Sequence, residues 1–118
     1  MGDVWIRTIS QSLVRADKVT EIASTRGSVH EEQGYSLKVI VEGKAHFLID
    51  NSDLLGSLAE RLEHARHMED ALLLAMDAAR DAEASVVVCY EQDGERWVLS
   101  TASELAGGLP SEGLGFGR

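Results

Sequence analysis

The sequence predicts an α+β domain: an antiparallel β-sheet of five to seven strands, built from hairpins, packed against one long α-helix. Three observations point there. Residues 4–50 carry β-branched and aromatic side chains in short runs separated by polar or glycine-containing turns. Residues 52–83 place apolar side chains three, four or seven apart, the period of one helix face. Residues 85–101 set two β-type runs on either side of Asp93-Gly94, a favoured hairpin turn. The expected single domain spans residues 1–105, followed by a flexible Gly-rich tail over 106–118.

Each element has its own justification. Val4 to Ile9 reads as a first strand and Ser10-Gln11-Ser12 as a turn. Lys18 to Thr25 reads as a second strand, entered through Leu13-Val14-Arg15, and Arg26 to Gly34 as a solvated loop. Leu37 to Val41 and Ala45 to Ile49 then form a hairpin about Glu42-Gly43, where glycine supplies the positive φ of a tight turn. Both faces of that hairpin are apolar, which fits central strands covered on two sides or a face that meets another subunit.

The helix is expected over 52–83, with N-cap candidates at Asp50, Asn51, Ser52 and Asp53. Its stripe runs through Leu55, Leu58, Leu62, Ala65, Leu72, Met76 and Ala79, with Glu69 interrupting it. No proline or glycine marks a break near His67-Met68-Glu69, so one helix of roughly 30 residues, about 45 Å long, is expected. A helix of that length overhangs a small domain and needs something to pack on. In the last hairpin, counting outward from Asp93-Gly94 pairs Glu91 with Arg96, Tyr90 with Trp97 and Val88 with Leu99. That register sets an ion pair and an aromatic pair directly opposite each other.

Composition narrows the function classes. The 118 residues suffice for one core, and 44% hydrophobic with 26% charged residues is ordinary globular usage. With 11 Lys and Arg against 20 Asp and Glu, the formal charge is −9. Such a chain is a poor partner for nucleic acid or an anionic membrane, both of which reward clustered basic residues. One cysteine, Cys89, allows no intrachain disulfide, and the N-terminal residues lack the pattern of a signal peptide. No apolar run approaches the length of a bilayer span. A cytoplasmic location is therefore expected, and the abundance of Ala, Gly, Arg, Asp and Glu beside a single Asn is typical of a high-GC bacterium or its phage.

Chemistry-bearing patterns are sparse. His64 and His67 are three apart, where the zinc-protease pattern needs two histidines four apart, so a solvated face paired with Glu60 and Glu63 is the reading. His30 and His46 stand alone, and Cys89 in Val-Val-Val-Cys-Tyr reads as a small hydrophobe in or beside the core. There is no nucleophile elbow, phosphate loop or calcium loop. No catalytic residue, metal ligand or cofactor is assigned. Candidates for interaction are Trp5, Tyr90 and Trp97, large amphipathic strand residues, with Leu72 and Met76 on the helix stripe.

Val4-Trp5-Ile6-Arg7-Thr8, followed by Leu13-Val14-Arg15-Ala16-Asp17-Lys18-Val19-Thr20-Glu21-Ile22, resembles a group of small bacterial and phage proteins of unknown function. These open with Trp-hydrophobic-Arg-Thr, turn, and continue Leu-Val-x-Ala/Leu-Asp-x-hydrophobic-x-x-Ile before a hairpin and one helix. The resemblance covers residues 4–75, departs from the pattern where Ser10-Gln11-Ser12 replaces an Asp-Gly turn, and excludes the Asp93-Gly94 hairpin. It implies a small antiparallel sheet with a packed helix and brings no catalytic residue.

The expected function is a non-enzymatic protein-interaction or assembly module, a homo-oligomer or the partner of another protein. The alternative is a small-ligand sensor with its site between helix and sheet, near His46, Tyr90 and Trp97.

Overall fold

In a computed structural model, which describes residues 2–25, 34–101 and 103–104, the chain opens with β1 (Val4–Arg7), turns at Thr8–Ser12 and returns as β2 (Leu13–Arg15). The buried Thr8 closes that turn: its hydroxyl accepts from the Ser12 amide at 3.1 Å, and its own amide donates to the Ser12 carbonyl at 2.9 Å. A short 3₁₀ turn (Ala16–Lys18) leads into β3 (Val19–Thr25). Most of the expected loop 26–34 and the whole of the expected tail 106–118 lie outside the described residues.

The chain continues as β4 (Tyr35–Val41), β5 (Lys44–Asn51), α1 (Leu58–Arg80), β6 (Val86–Glu91) and β7 (Arg96–Thr101). The fold class is α+β, with seven strands and one long helix. Two features depart from a single antiparallel sheet. The strands divide into a four-stranded sheet, order β2-β1-β6-β7, and a three-stranded meander, order β3-β4-β5. Within the first sheet, β1 and β6 run parallel, with Val4 opposite Val86 and Ile6 opposite Val88. Strands so far apart in sequence can pair in either direction, because the long connection between them leaves both open.

The β6–β7 hairpin keeps the expected register, the β4–β5 hairpin turns at Glu42-Gly43 as expected, and the two turns differ. Across β4 and β5 a two-residue turn gives Glu42 and Gly43 φ values of 51° and 80°, the left-handed pair of a type I′ turn. Across β6 and β7, Glu91 faces Arg96, Tyr90 faces Trp97 and Val88 faces Leu99. The Glu95 amide there closes on the Gln92 carbonyl at 3.2 Å, and the left-handed residue is Glu95 (φ 48°) instead of Gly94.

Helix α1 is shorter than the stripe suggested: 23 residues, about 34 Å, in place of residues 52–83. Its start is set by Ser57, whose hydroxyl accepts from the Glu60 amide at 3.1 Å while the Glu60 carboxylate accepts from the Ser57 amide at 3.1 Å. This reciprocal capping box outcompetes the polar run at 50–53, most of which is taken up by the end of β5 and an Asn51 side-chain turn onto the Asp53 amide. The buried face is Ala65, Met68, Leu72, Met76 and Ala79. Met68 fills the gap attributed to Glu69, whereas Leu55, Leu58 and Leu62 lie exposed.

One core joins both sheets to the helix. Ile6 from β1, Tyr35, Leu37 and Val39 from β4, Leu72 from α1 and Val88 from β6 are all fully buried. β4 is the central strand of its sheet, so its two-sided apolar character is explained within one chain. At its start, Gly34 (φ 78°) brings the backbone onto Asn51 so closely that a Cβ would land on the Asn51 carbonyl.

Candidate functional site

Two places stand out once the side chains are followed outward from the core. The first is a polar cluster at one end of the helix–sheet interface. β4 begins with Tyr35, fully buried beneath the first turns of α1. The His64 ring meets the Tyr35 ring edge-on, with centroids 5.1 Å apart. His64 Nε2 lies 3.8 Å from Glu95 Oε1 in the β6–β7 turn. Tyr90 on β6 sits against Trp97 of β7 with ring centroids 5.5 Å apart. The Tyr35 hydroxyl, the Tyr90 hydroxyl and His64 Nε2 are all buried, and the two hydroxyls act on one another.

Electrostatics follow from that burial. Loss of solvation raises the Tyr35 phenol well above its ordinary range, and the neighbouring Tyr90 and the charge of Glu95 add to the effect. Tyr90 is raised as well, mainly by burial and further by Glu95, with the Tyr35 hydroxyl offsetting part of the shift. Both phenols stay neutral at physiological pH, so each offers one donor and one acceptor.

The second place is an open groove of about 470 Å³ between α1 and β7. Met68, Ala71, Leu74 and Ala75 form one wall, Trp97 and Leu99 the other. The Trp97 indole N–H donates to the Met68 carbonyl at 3.1 Å, which fastens β7 to the middle of the helix. Leu74, 70% exposed, stands at the rim. Among the described residues nothing pairs with the outer edge of β7.

The residues singled out from sequence are redistributed by this geometry. Leu72 and Met76 are core residues, 0% and 4% exposed, because the helix turns that stripe onto both sheets. Neither offers a surface to a second chain. Tyr90 and Trp97 are half-buried and meet each other as expected. Trp5, on β1 opposite Arg15, is covered by the Arg15 guanidinium 5.3 Å above its ring, and Asp3 and Asp17 hold that guanidinium at 3.2 and 3.1 Å. His46 lies on β5 opposite Val39; the histidine beside the tyrosines is His64.

His64 therefore faces inward, and Glu60 caps the helix instead of pairing with it. The signal for the cap was legible as Ser57-x-x-Glu60. No local signal marked the meeting of Tyr35, His64 and Glu95, which come from three separate elements. Cys89 neighbours Tyr90 along β6, so the strand alternation turns it to the opposite face.

Among the described residues no three His, Cys, Asp or Glu side chains gather as a metal-holding group, and no helix is long and apolar enough to cross a membrane. No family model, curated protein or solved structure matches the chain.

Proposed function

We propose that the protein is a non-enzymatic interaction module that self-associates through the outer edge of β7 and the groove beside it. The observation that carries this reading is a comparison of the four sheet edges. β2 is three residues long, and short edges template poorly. The β3 ladder is interrupted at Val19–Glu21 and bears the exposed Glu21. The β5 ladder shifts register opposite Leu37–Lys38, and its Phe47 carbonyl is taken by the Ile9 amide at 2.9 Å.

β7 has these devices only at its last residue, where the Thr101 amide donates to the Glu104 carboxylate at 2.9 Å. It is six residues long, pairs with β6 without a register shift, and Arg96 at its start is its one charged residue. Two copies of β7 running antiparallel about a two-fold axis at Val98 would set Val98 against Val98, Trp97 against Leu99 and Arg96 against Ser100, opposing no like charges. The exposed Leu74 would be covered beside the new strand pair. A bacterial or phage cytoplasm is the setting we infer, supported by the composition and the single cysteine.

Light scattering over a hundredfold concentration range tests the proposal. The expected result is a mass that doubles from 12.8 kDa and rises more readily with salt, which screens the −9 charge of each chain. Leu74→Glu should restore the monomer without lowering its melting temperature. A monomer throughout, or a dimer indifferent to Leu74→Glu, overturns it.

A further inference from the structure

The ladder between β1 and β6 stops at Ile6 and Val88, because the chain turns away from the sheet at Thr8. That turn carries Ile9 across to the other sheet, where its amide donates to the Phe47 carbonyl of β5 at 2.9 Å. Two adjoining cavities of about 320 and 300 Å³ flank the crossing, and both have Ile9, Leu48, Tyr90 and Gln92 in their walls. Each reaches the lower end of the roughly 300–1,000 Å³ that small-molecule sites occupy. Leu48 is buried at the base of this cleft, and Ile9, 50% exposed, stands at its rim.

The two cavities differ in charge: Arg7 lines the larger and Asp50 the smaller. Arg7 is half-buried, and its guanidinium makes one long hydrogen bond, from Nη1 to the Gln11 carbonyl at 3.4 Å. Arg15, Arg80 and Arg96 each have a carboxylate within ion-pair distance, whereas Arg7 has none among the described residues. Half-burial takes water from that cation, and no protein carboxylate replaces it.

We propose that this cleft between the two sheets binds a small aliphatic monocarboxylate, its carboxylate on Arg7 and its apolar body along Ile9, Leu48 and the Tyr90 ring. A guanidinium presents five donors in a fixed fork, a shape that matches a carboxylate with two parallel hydrogen bonds. Other classes fit less well. An inorganic anion would leave the apolar walls uncovered, a neutral lipid would leave the guanidinium unanswered, and an ammonium compound would be repelled by Arg7. A second acidic group on the ligand would meet Asp50 and the −9 charge of the whole chain, so one carboxylate suits the cleft better than two.

The probe is sodium hexanoate titrated into the full chain, with hexanamide and, at equal ionic strength, sodium acetate as comparisons. Melting temperature and tyrosine and tryptophan fluorescence follow binding, since Tyr90 borders both cavities and packs on Trp97. Hexanoate should raise the melting temperature saturably. Hexanamide, of the same shape without the charge, should bind about tenfold more weakly, the worth of one charged hydrogen bond. Acetate, which lacks the apolar body, should give no saturable response. Arg7→Gln should weaken hexanoate binding about tenfold. Ile9→Glu, a second variant at a half-exposed position, should abolish binding by setting a like charge in the cleft. Equal responses to hexanoate and to either comparison, no saturable response to hexanoate, or an undiminished response in either variant would each overturn the assignment. None of these residues belongs to β7, so the oligomer proposed above can fail without affecting this result.

Discussion

Replacing Leu72 with alanine separates a core residue from an interface residue. Leu72 is fully buried between α1 and the two sheets, in contact with a cluster that includes Ile6, Leu37 and Val88. Removing its three outer carbons forfeits about 2.4 kcal/mol of transfer free energy at roughly 0.8 kcal/mol per methylene. The surrounding strands and helix can relax only partly, and a residual cavity of roughly 70 Å³ adds about 1.7 kcal/mol. The expected loss is therefore about 4 kcal/mol. Urea unfolding followed by Trp97 fluorescence should show it as a midpoint lower by about 2–3 M, for a slope near 1.5 kcal/mol/M.

Two controls make the test specific. The loss should be the same at protein concentrations tenfold apart, because the contacts removed lie within one chain. Leu74→Ala, at 70% exposure, should change stability by less than about 0.5 kcal/mol under conditions where the protein is monomeric. A cost below about 1 kcal/mol for Leu72→Ala, or one that grows on dilution, would refute the placement of this face in the core.

Further outcomes follow from local geometry. Ser57→Ala removes the hydroxyl that accepts from the Glu60 amide and should cost about 1 kcal/mol, measured by the same urea titration. Glu42→Gly relieves a left-handed non-glycine residue in the β4–β5 turn and should add a few tenths to about 1 kcal/mol, read as a higher melting temperature. The chain has two tyrosines, both in the polar cluster, so phenolate absorbance reports on that cluster alone. Tyr35 holds its proton more tightly folded than unfolded, so its contribution to stability is complete below the ordinary phenol range near pH 10 and is lost as pH rises beyond it. Stability measured against pH should thus fall above about pH 10, with a shallower fall in Tyr35→Phe; an equally steep fall in that variant would contradict the burial of this phenol.

Much of the architecture was legible because local signals were strong. Asp93-Gly94 between two β-type runs set a register that the folded chain keeps, since cross-strand pairing is decided within a dozen residues. The helix stripe identified Ala65, Leu72, Met76 and Ala79 as one face. Its start was misjudged because a polar run at 50–53 offers four capping side chains, while the decisive pair, Ser57 and Glu60, works only as a reciprocal unit. The candidate sites were far less legible. His64 reads as a solvated helix residue until β4 supplies Tyr35 and the β6–β7 turn supplies Glu95.

The sequence by itself determined the α+β class, the register of the β6–β7 hairpin, the acidic charge and much of the apolar face of the helix, all of which rest on interactions between residues near in the chain or on composition. Only the tertiary structure decided that β1 pairs in parallel with β6, that the strands split into two sheets, and that β7 is left as the plain edge. It alone decided that Leu72 and Met76 are core and that two phenols, an imidazole and a carboxylate meet in one cluster. The physical reason is common to all of these: they depend on pairings across tens of residues, where the loop connecting two segments constrains neither their direction nor their neighbours.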